Sequence, residues 1–430
     1  MMQDWFKDAK LGIFMHWGIY SAYGVSESWS FFNGSISYEN YMKQCGGFTA
    51  GKYDAKSWAD LFRRAGAKYS VLTAKHHDGV ALWDTKLSDL SVAKQTPAAR
   101  DVLKEYCDAV REAGLKNGIY FSHLDWSHPD YPSVWKHGQE LTDQQKLTAK
   151  RFSYPVGKNE DPEAWKRFLA FHRGQLKELC TQYRPDLLWF DGSWERSPEQ
   201  WDMKGLRDQL HQWAPGVILN SRMGGYGDYE TPEQGIPVEA PSGPWEFCMT
   251  LNDSWGYQFQ DVNHKSTRQL VRYFVDVISM GGNLLLDIGP YADGRLQPTQ
   301  VQRLEELGAW IAPRAEAIYG TIAGLPRTHF AGGSTMSKDQ RTIYLFLHDR
   351  PWDQIAVKGI KNNVTRISVV GSGRELTGRK IGGAHWANIP GVLWIDVPQS
   401  ELEENATVIK IELDGPLDLW RGKGVAIEAN

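Results

Sequence analysis

LLWFDGSW occupies residues 187–194, and its reading decides the fold. Four apolar residues, Leu187 to Phe190, run straight into a carboxylate, Asp191, and then Gly192. A short apolar run bounded by turn residues reads as a strand buried on both faces. Five more stretches share the pattern: LGIFMHWG (11–18), YSVLTAKHH (69–77), LKNGIYFS (115–122), GVILNSR (216–222) and NLLLDIG (283–289). Between them run amphipathic patterns at helical spacing, such as Trp58, Leu61, Phe62 and Ala65, or Leu270, Phe274 and Ile278. Strand and helix alternating over some 320 residues predict an irregular (β/α)8-like barrel. No glycine-rich phosphate loop follows the first strand, which argues against a dinucleotide fold.

Past residue 325 the pattern changes. RTIYLFLHD (341–349), QIAVKGI (354–360), VTRISVVG (364–371), GVLWIDV (391–397) and TVIKIEL (407–413) are short and β-rich, with turn residues between them. They predict a C-terminal antiparallel β-sandwich. The expected organisation is a catalytic barrel over residues 1–325 and a sandwich over 326–430.

Composition narrows the function. A net charge of −4 favours neither nucleic acid nor an anionic membrane as partner. No apolar run approaches the roughly 20 residues a membrane helix needs. The N-terminus MMQDWFKDAK has no apolar signal core, which fits a cytoplasmic protein or a mature exported form. Four cysteines stand far apart with no metal-finger spacing. The 19 tryptophans either fill a large aromatic core or cover the apolar faces of sugars. Self-association is left open.

In such a barrel, reactive groups sit at the C-terminal ends of the strands. Here those ends carry His16 and Trp17; His76, His77 and Asp78; Tyr120 and Ser122; Asp191; Asn220 and Arg222; and Asp287. Asp287 also reads as a fastener of the last strand to the rim. His76 and His77 are adjacent, so on a regular strand they face opposite ways. Both reach one ligand only where the strand is irregular. No third and fourth metal ligand follows at a familiar spacing, so neither metal nor cofactor is expected. Cleaving a glycoside takes a second carboxylate beside Asp191. The segment SRMGGYGDYETPEQGIPVEAPSGPWEFCMTLNDSWGY (221–257) is rich in glycine and proline and reads as a loop over the barrel mouth. It offers Glu230, Glu233, Glu239 and Glu246, among which the pattern does not choose.

WFKDAKLGIFMHWGIYS, KHHDGVALWDTK, LLWFDG, ETPEQ, PWEFCMTLNDSWGY and GGNLLLDIGPYADG, in this order over residues 5–325, together resemble the α-L-fucosidases of glycoside hydrolase family 29. The resemblance implies a retaining exo-hydrolase that removes terminal α-L-fucose from fucosylated glycans. It implies Asp191 as nucleophile and Glu233, 42 positions further on, as acid/base, with Glu230 and Glu246 as alternatives. It implies a fucose pocket of His16, His76, His77, Tyr120, Arg222 and Trp255, closed by Glu27 and Trp29. Here SESWSFF separates that last pair, where many members have Glu and Trp adjacent. On this reading Asp191 stays ionised among hydrogen-bond donors, while apolar neighbours keep Glu233 protonated. Three other readings compete: a non-catalytic sugar-binding protein, a metal-dependent hydrolase built on His16, His76, His77 and Asp191, and a glycosidase for a related sugar such as L-galactose.

Overall fold

The computed structural model of the protein describes residues 2–131, 161–351 and 354–424. Seven parallel strands form one sheet in the order β5-β4-β3-β2-β1-β7-β6. They are β1 (Leu11–Met15), β2 (Tyr69–Lys75), β3 (Lys116–Ser122), β4 (Leu187–Asp191), β5 (Ile218–Leu219), β6 (Glu246–Thr250) and β7 (Asn283–Ile288). The apolar runs became these strands because helices cover their outer faces while the barrel interior fills with their inner side chains. Asp54 caps the helix Ala55–Arg64 by accepting from the backbone of Lys56 and Ser57. Ser266 and Gln269 form a capping box on Thr267–Ser279.

The sheet order leaves β5 and β6 unpaired with each other. Residues 229–233 stand between them. Tyr229 bridges Asn220 beyond β5, while Glu230 and Glu233 bridge Trp245 and Cys248 on the β6 side, all in parallel. This irregular segment is the eighth stave of a (β/α)8-like barrel. The 221–257 stretch, expected to be loop throughout, therefore contains both that stave and β6. Its glycines and prolines hid them.

The N-terminal helix Asp4–Ala9 closes the barrel floor. Phe6 packs on Tyr229 with ring centroids 4.4 Å apart, and the interior continues through Tyr69, Trp189, Cys248 and Leu285.

The C-terminal strands form two antiparallel sheets. One is β12-β15-β10-β9-β8, from Val364–Val369, Thr407–Leu413, Thr342–Leu347, Gly333–Ser337 and Thr321–Ala323. The other is β11-β14-β13, from Gln354–Val357, Val392–Asp396 and Gly378–Ile381. They share a core that includes Ile343, Leu345, Val357, Ile395 and Ile411, which makes a β-sandwich. The sandwich joins the barrel's outer layer: Phe346 and Val408 belong to the barrel's apolar cluster, and Trp310 Nε1 donates to the Ala406 carbonyl at 3.0 Å. All four cysteines are free. Among the described residues no helix is long and apolar enough to cross a membrane.

Candidate active site

Asp191 is the last residue of β4. Its strand is pinned even though β5 is only two residues long. The Asn220 side chain continues the ladder where β5 stops, accepting from Phe190 N and donating to Phe190 O, each at 2.9 Å. Gly192 follows with φ 78°, and a Cβ there would lie 2.5 Å from Leu124 Cγ. Only glycine lets the chain turn away so abruptly and leave the carboxylate at the strand tip.

Three kinds of group surround that carboxylate. Tyr120, on β3, donates its hydroxyl to Oδ2 at 3.0 Å. Arg222, three residues past β5, donates from one terminal nitrogen to Oδ1. His77 Nε2 stands 3.7 Å from Oδ2. Burial pushes the Asp191 carboxyl up, but the Arg222 charge and the Arg222 and Tyr120 hydrogen bonds outweigh it and hold the carboxyl below its usual range. The expectation of an ionised acid among donors is met in this geometry.

Arg222 also donates from its other terminal nitrogen to Glu233 Oε2. One guanidinium thus bridges both carboxylates. Its width sets their spacing. The sequence suggested apolar neighbours for Glu233. The structure gives it the Arg222 charge instead and leaves its side chain 36% exposed, because it rides on the irregular stave at the barrel's edge. The alternatives lie elsewhere. Glu230 bridges Trp245, which precedes β6, so it sits toward the barrel floor. Glu246 begins β6 and is fully buried.

The histidine pair answers the question of strand irregularity. The β2–β3 register shifts between Thr73 and Lys75, and the Ala74 carbonyl leaves the ladder to accept from Leu82 N at 2.8 Å. After this bulge His76 and His77 lie with ring centroids 4.2 Å apart. Each is aimed by a serine: His76 Nδ1 meets Ser28 Oγ at 2.5 Å and His77 Nδ1 meets Ser122 Oγ at 2.6 Å. His16 Nδ1 pairs with Asp287 Oδ1 at 2.7 Å. Burial, chiefly, holds all three imidazoles far below their usual range and pushes Asp287 well above its own. Asp287 is thus more than a rim fastener: it orients His16.

The segment 27–29 divides three tasks among neighbours. Glu27 is buried and accepts from Gly256 N at 2.5 Å, which fastens the loop carrying Trp255. Ser28 holds His76. Trp29 packs edge-on against His77 at 5.4 Å. Glu27 therefore acts on the site through Trp255, whose ring lies 5.0 Å from that of His16. A side chain at Gly256 would collide with Tyr20 at 2.6 Å and with Glu27 Oε1 at 2.9 Å, so this loop seat requires glycine.

Sequence reasoning missed several neighbours. Trp194, half-exposed, stacks on Trp29 at 6.1 Å and meets His77 edge-on at 5.7 Å. Trp126 packs on both His77 and Trp29. His123 donates its backbone N–H to the Asp191 carbonyl at 2.8 Å and places Nε2 3.1 Å from the Arg222 carbonyl, so it ties the two residues together. The excess of tryptophan was the one available signal for the aromatic wall.

Among the described residues, His76, His77 and Asp191 offer ligand atoms all within 4.8 Å of one another, enough to approach a metal ion. But Asp191 already holds the Arg222 guanidinium, and a cation added there would face that charge.

A barrel with one carboxylate at a strand tip, a second across a shared guanidinium, and a pocket of imidazole and indole defines a glycoside hydrolase. A family model described as alpha-L-fucosidase matches residues 1–316. The tissue alpha-L-fucosidase of Rattus norvegicus is 32% identical, covering 92% of this chain and 86% of that one. Among solved structures, alpha-L-fucosidase isoenzyme 1 from Paenibacillus thiaminolyticus superposes with a TM-score of 0.85 at 33% identity, over 95% of this chain and 98% of that one. An alpha-L-fucosidase of glycoside hydrolase family 29 from Bacteroides thetaiotaomicron, solved as a trapped covalent intermediate, gives 0.80 at 27% identity, over 95% of each chain. This chain belongs to the α-L-fucosidase family, glycoside hydrolase family 29.

Proposed function

We propose that this protein is a retaining exo-α-L-fucosidase acting on terminal α-L-fucose of fucosylated glycans, with Asp191 as nucleophile and Glu233 as acid/base. One observation carries the assignment: Arg222 grips both the Asp191 carboxylate at the tip of β4 and the Glu233 carboxylate on the irregular stave. The covalent intermediate trapped in the Bacteroides relative supports a two-step course. Asp191, ionised beside Arg222 and Tyr120, attacks the anomeric carbon as Glu233 gives its proton to the leaving oxygen. Glu233 then takes a proton from water, which releases fucose from Asp191. His16, His76, His77 and Tyr120 read the sugar hydroxyls as neutral partners, and Arg222 fixes the two acids. Trp255 and Trp29 cover the C6 methyl and the apolar ring face, and Glu27 supports Trp255. Residues 1–325 form the catalytic unit and 326–430 the sandwich, the last six of which lie outside the described residues.

The test is turnover of an aryl α-L-fucoside by wild type, Asp191→Ala and Glu233→Ala. Asp191→Ala should lose about 10³-fold or more in kcat, and azide should restore Glu233→Ala. Near-normal rates in Glu233→Ala would sink the acid/base assignment. An inert wild type, on this substrate and on fucosylated oligosaccharides alike, would sink the activity.

A further inference from the structure

Glu246 is an acid for which the proposed mechanism has no use. It begins β6, at the floor end of the strand, and is fully buried in the barrel interior. Its carboxylate accepts from the indole Nε1 of Trp189 at 2.9 Å and from the Tyr69 hydroxyl, with Tyr229 and Cys248 beside it. A buried acid in so aromatic a core costs stability, and an apolar residue of like size would serve packing as well or better. What it holds is therefore informative.

Trp189 lies one level above. Its ring stacks on Tyr120 at 5.7 Å and 19°, and the Arg222 guanidinium lies over its face, 4.7 Å from the centroid. An indole has a single N–H, so one acceptor at that edge fixes the rotation of the whole ring. Hydrogen bonding to a carboxylate also enriches the ring face that attracts the guanidinium. Glu246, Trp189 and Arg222 thus form a continuous column from the barrel floor to Asp191 and Glu233.

We infer that Glu246 is a positioning residue: through the Trp189 indole it sets the plane on which Arg222 lies, and through Arg222 the placement of the two acids. The inference rests on the roles proposed for Asp191 and Glu233. Burial, opposed by the Tyr69 and Trp189 hydrogen bonds, holds the Glu246 carboxyl up at about 7. Either protonation state keeps an oxygen for the indole, so the anchoring survives the acid's own titration. The groups facing Asp191 are Tyr120 from β3, His16 from β1, His76 and His77 beyond β2, and Arg222 beyond β5. Of these, Arg222 alone carries a permanent charge, so its displacement registers in the ionisation of Asp191.

The experiment compares wild type, Glu246→Leu, Trp189→Phe and the double variant in kcat/KM for an aryl α-L-fucoside from pH 4 to 9. Glu246→Leu removes the acceptor; Trp189→Phe keeps a ring but removes the N–H, and it carries the test should Glu246→Leu fail to fold. Each single variant should lose about tenfold or more. The acidic limb, set by Asp191, should move to higher pH by roughly half a unit, because a displaced Arg222 no longer holds that carboxyl down. The double variant should be no worse than the poorer single one. Folded variants with an unmoved acidic limb, or losses that multiply, would overturn the inference. Crystal structures of the same variants give a readout independent of turnover: an Arg222 that keeps both carboxylates in Glu246→Leu also overturns it. An inert wild type would instead count against the proposed activity, and the structures would still decide the column.

Discussion

His77 Nε2 stands 3.7 Å from Asp191 Oδ2, fully buried and without a hydrogen-bond partner among the described residues. The other side of the ring explains its state. Ser122 gives its hydroxyl proton to the Leu124 carbonyl at 2.7 Å, so toward His77 Nδ1 it is an acceptor. Nδ1 therefore carries the imidazole proton and Nε2 a lone pair, given that burial keeps the ring neutral. A buried lone pair aimed at the Asp191 side of the pocket suits a sugar hydroxyl as donor. His77→Ala should lower kcat/KM for an aryl fucoside by about 10–100-fold, the worth of one buried polar contact. Ser122→Ala, which frees the tautomer without removing the ring, should cost less. Equal losses would show that orientation, not the lone pair, is what matters.

Glu230 and Glu233 are three residues apart on the same stave, yet Glu230 bridges Trp245, just ahead of β6, and Glu233 bridges Cys248 within it. Glu230→Ala should keep kcat/KM within about threefold of wild type, since it reaches neither Asp191 nor Arg222. A loss rivalling that of Glu233→Ala, with azide rescue, would move the acid/base role to Glu230.

Dialysis against a chelator should leave the rate unchanged. Asp191 already holds the Arg222 guanidinium, so a cation brought within reach of His76 and His77 would face that fixed charge. Activity lost to chelation and restored by one divalent ion would revive the metal-hydrolase reading.

Asp78 supplies a pH prediction for stability. It is fully buried, accepting from Tyr41 and from Val80 N, and burial pushes its carboxyl up to about 6. The folded value lies above the unfolded one, near 4. Its contribution to stability is thus complete below about pH 4 and lost as pH rises through 6. Asp78→Asn carries no such dependence. The wild-type advantage in unfolding free energy should therefore shrink between pH 4.5 and 7.5, by about 2 kcal/mol. Denaturant titrations at the two pH values check it, and a constant difference would mean that the carboxyl is not shifted.

The aromatic cover of Trp29 and Trp255 bears on sugar choice. An apolar pocket discriminates weakly against one added hydroxyl, so an aryl α-L-galactoside should be cleaved about 10–100-fold less efficiently than the fucoside, and not negligibly. Full rejection would call for a polar group set against the 6-hydroxyl.

Much of the barrel was readable because buried parallel strands leave a plain trace, an apolar run that ends in a polar residue. That trace located Asp191, His16, Tyr120 and the histidine pair. Less was readable where local geometry breaks the pattern. The bulge after Thr73 cannot be seen in YSVLTAKHH, since it depends on where the Ala74 carbonyl finds a partner. The pairing of His76 with Ser28 and of Glu27 with Gly256 joins residues 48 and 229 positions apart, which no spacing rule connects. Glu246 looked like any acid in a loop. Only the strand beneath it reveals that it faces Trp189.

The stave that carries Glu233 meets its neighbours through isolated bridges instead of a continuous ladder, and glycine and proline flank it. Asp191, by contrast, ends a strand locked on both sides. One acid is thus built into the frame and the other hangs on its seam. The seam can lengthen, shorten or slide without unseating the core, because no neighbouring strand depends on its register. On the roles proposed for the two acids, a lineage of such barrels can reshape how the leaving group is met while the point of attack stays where it is.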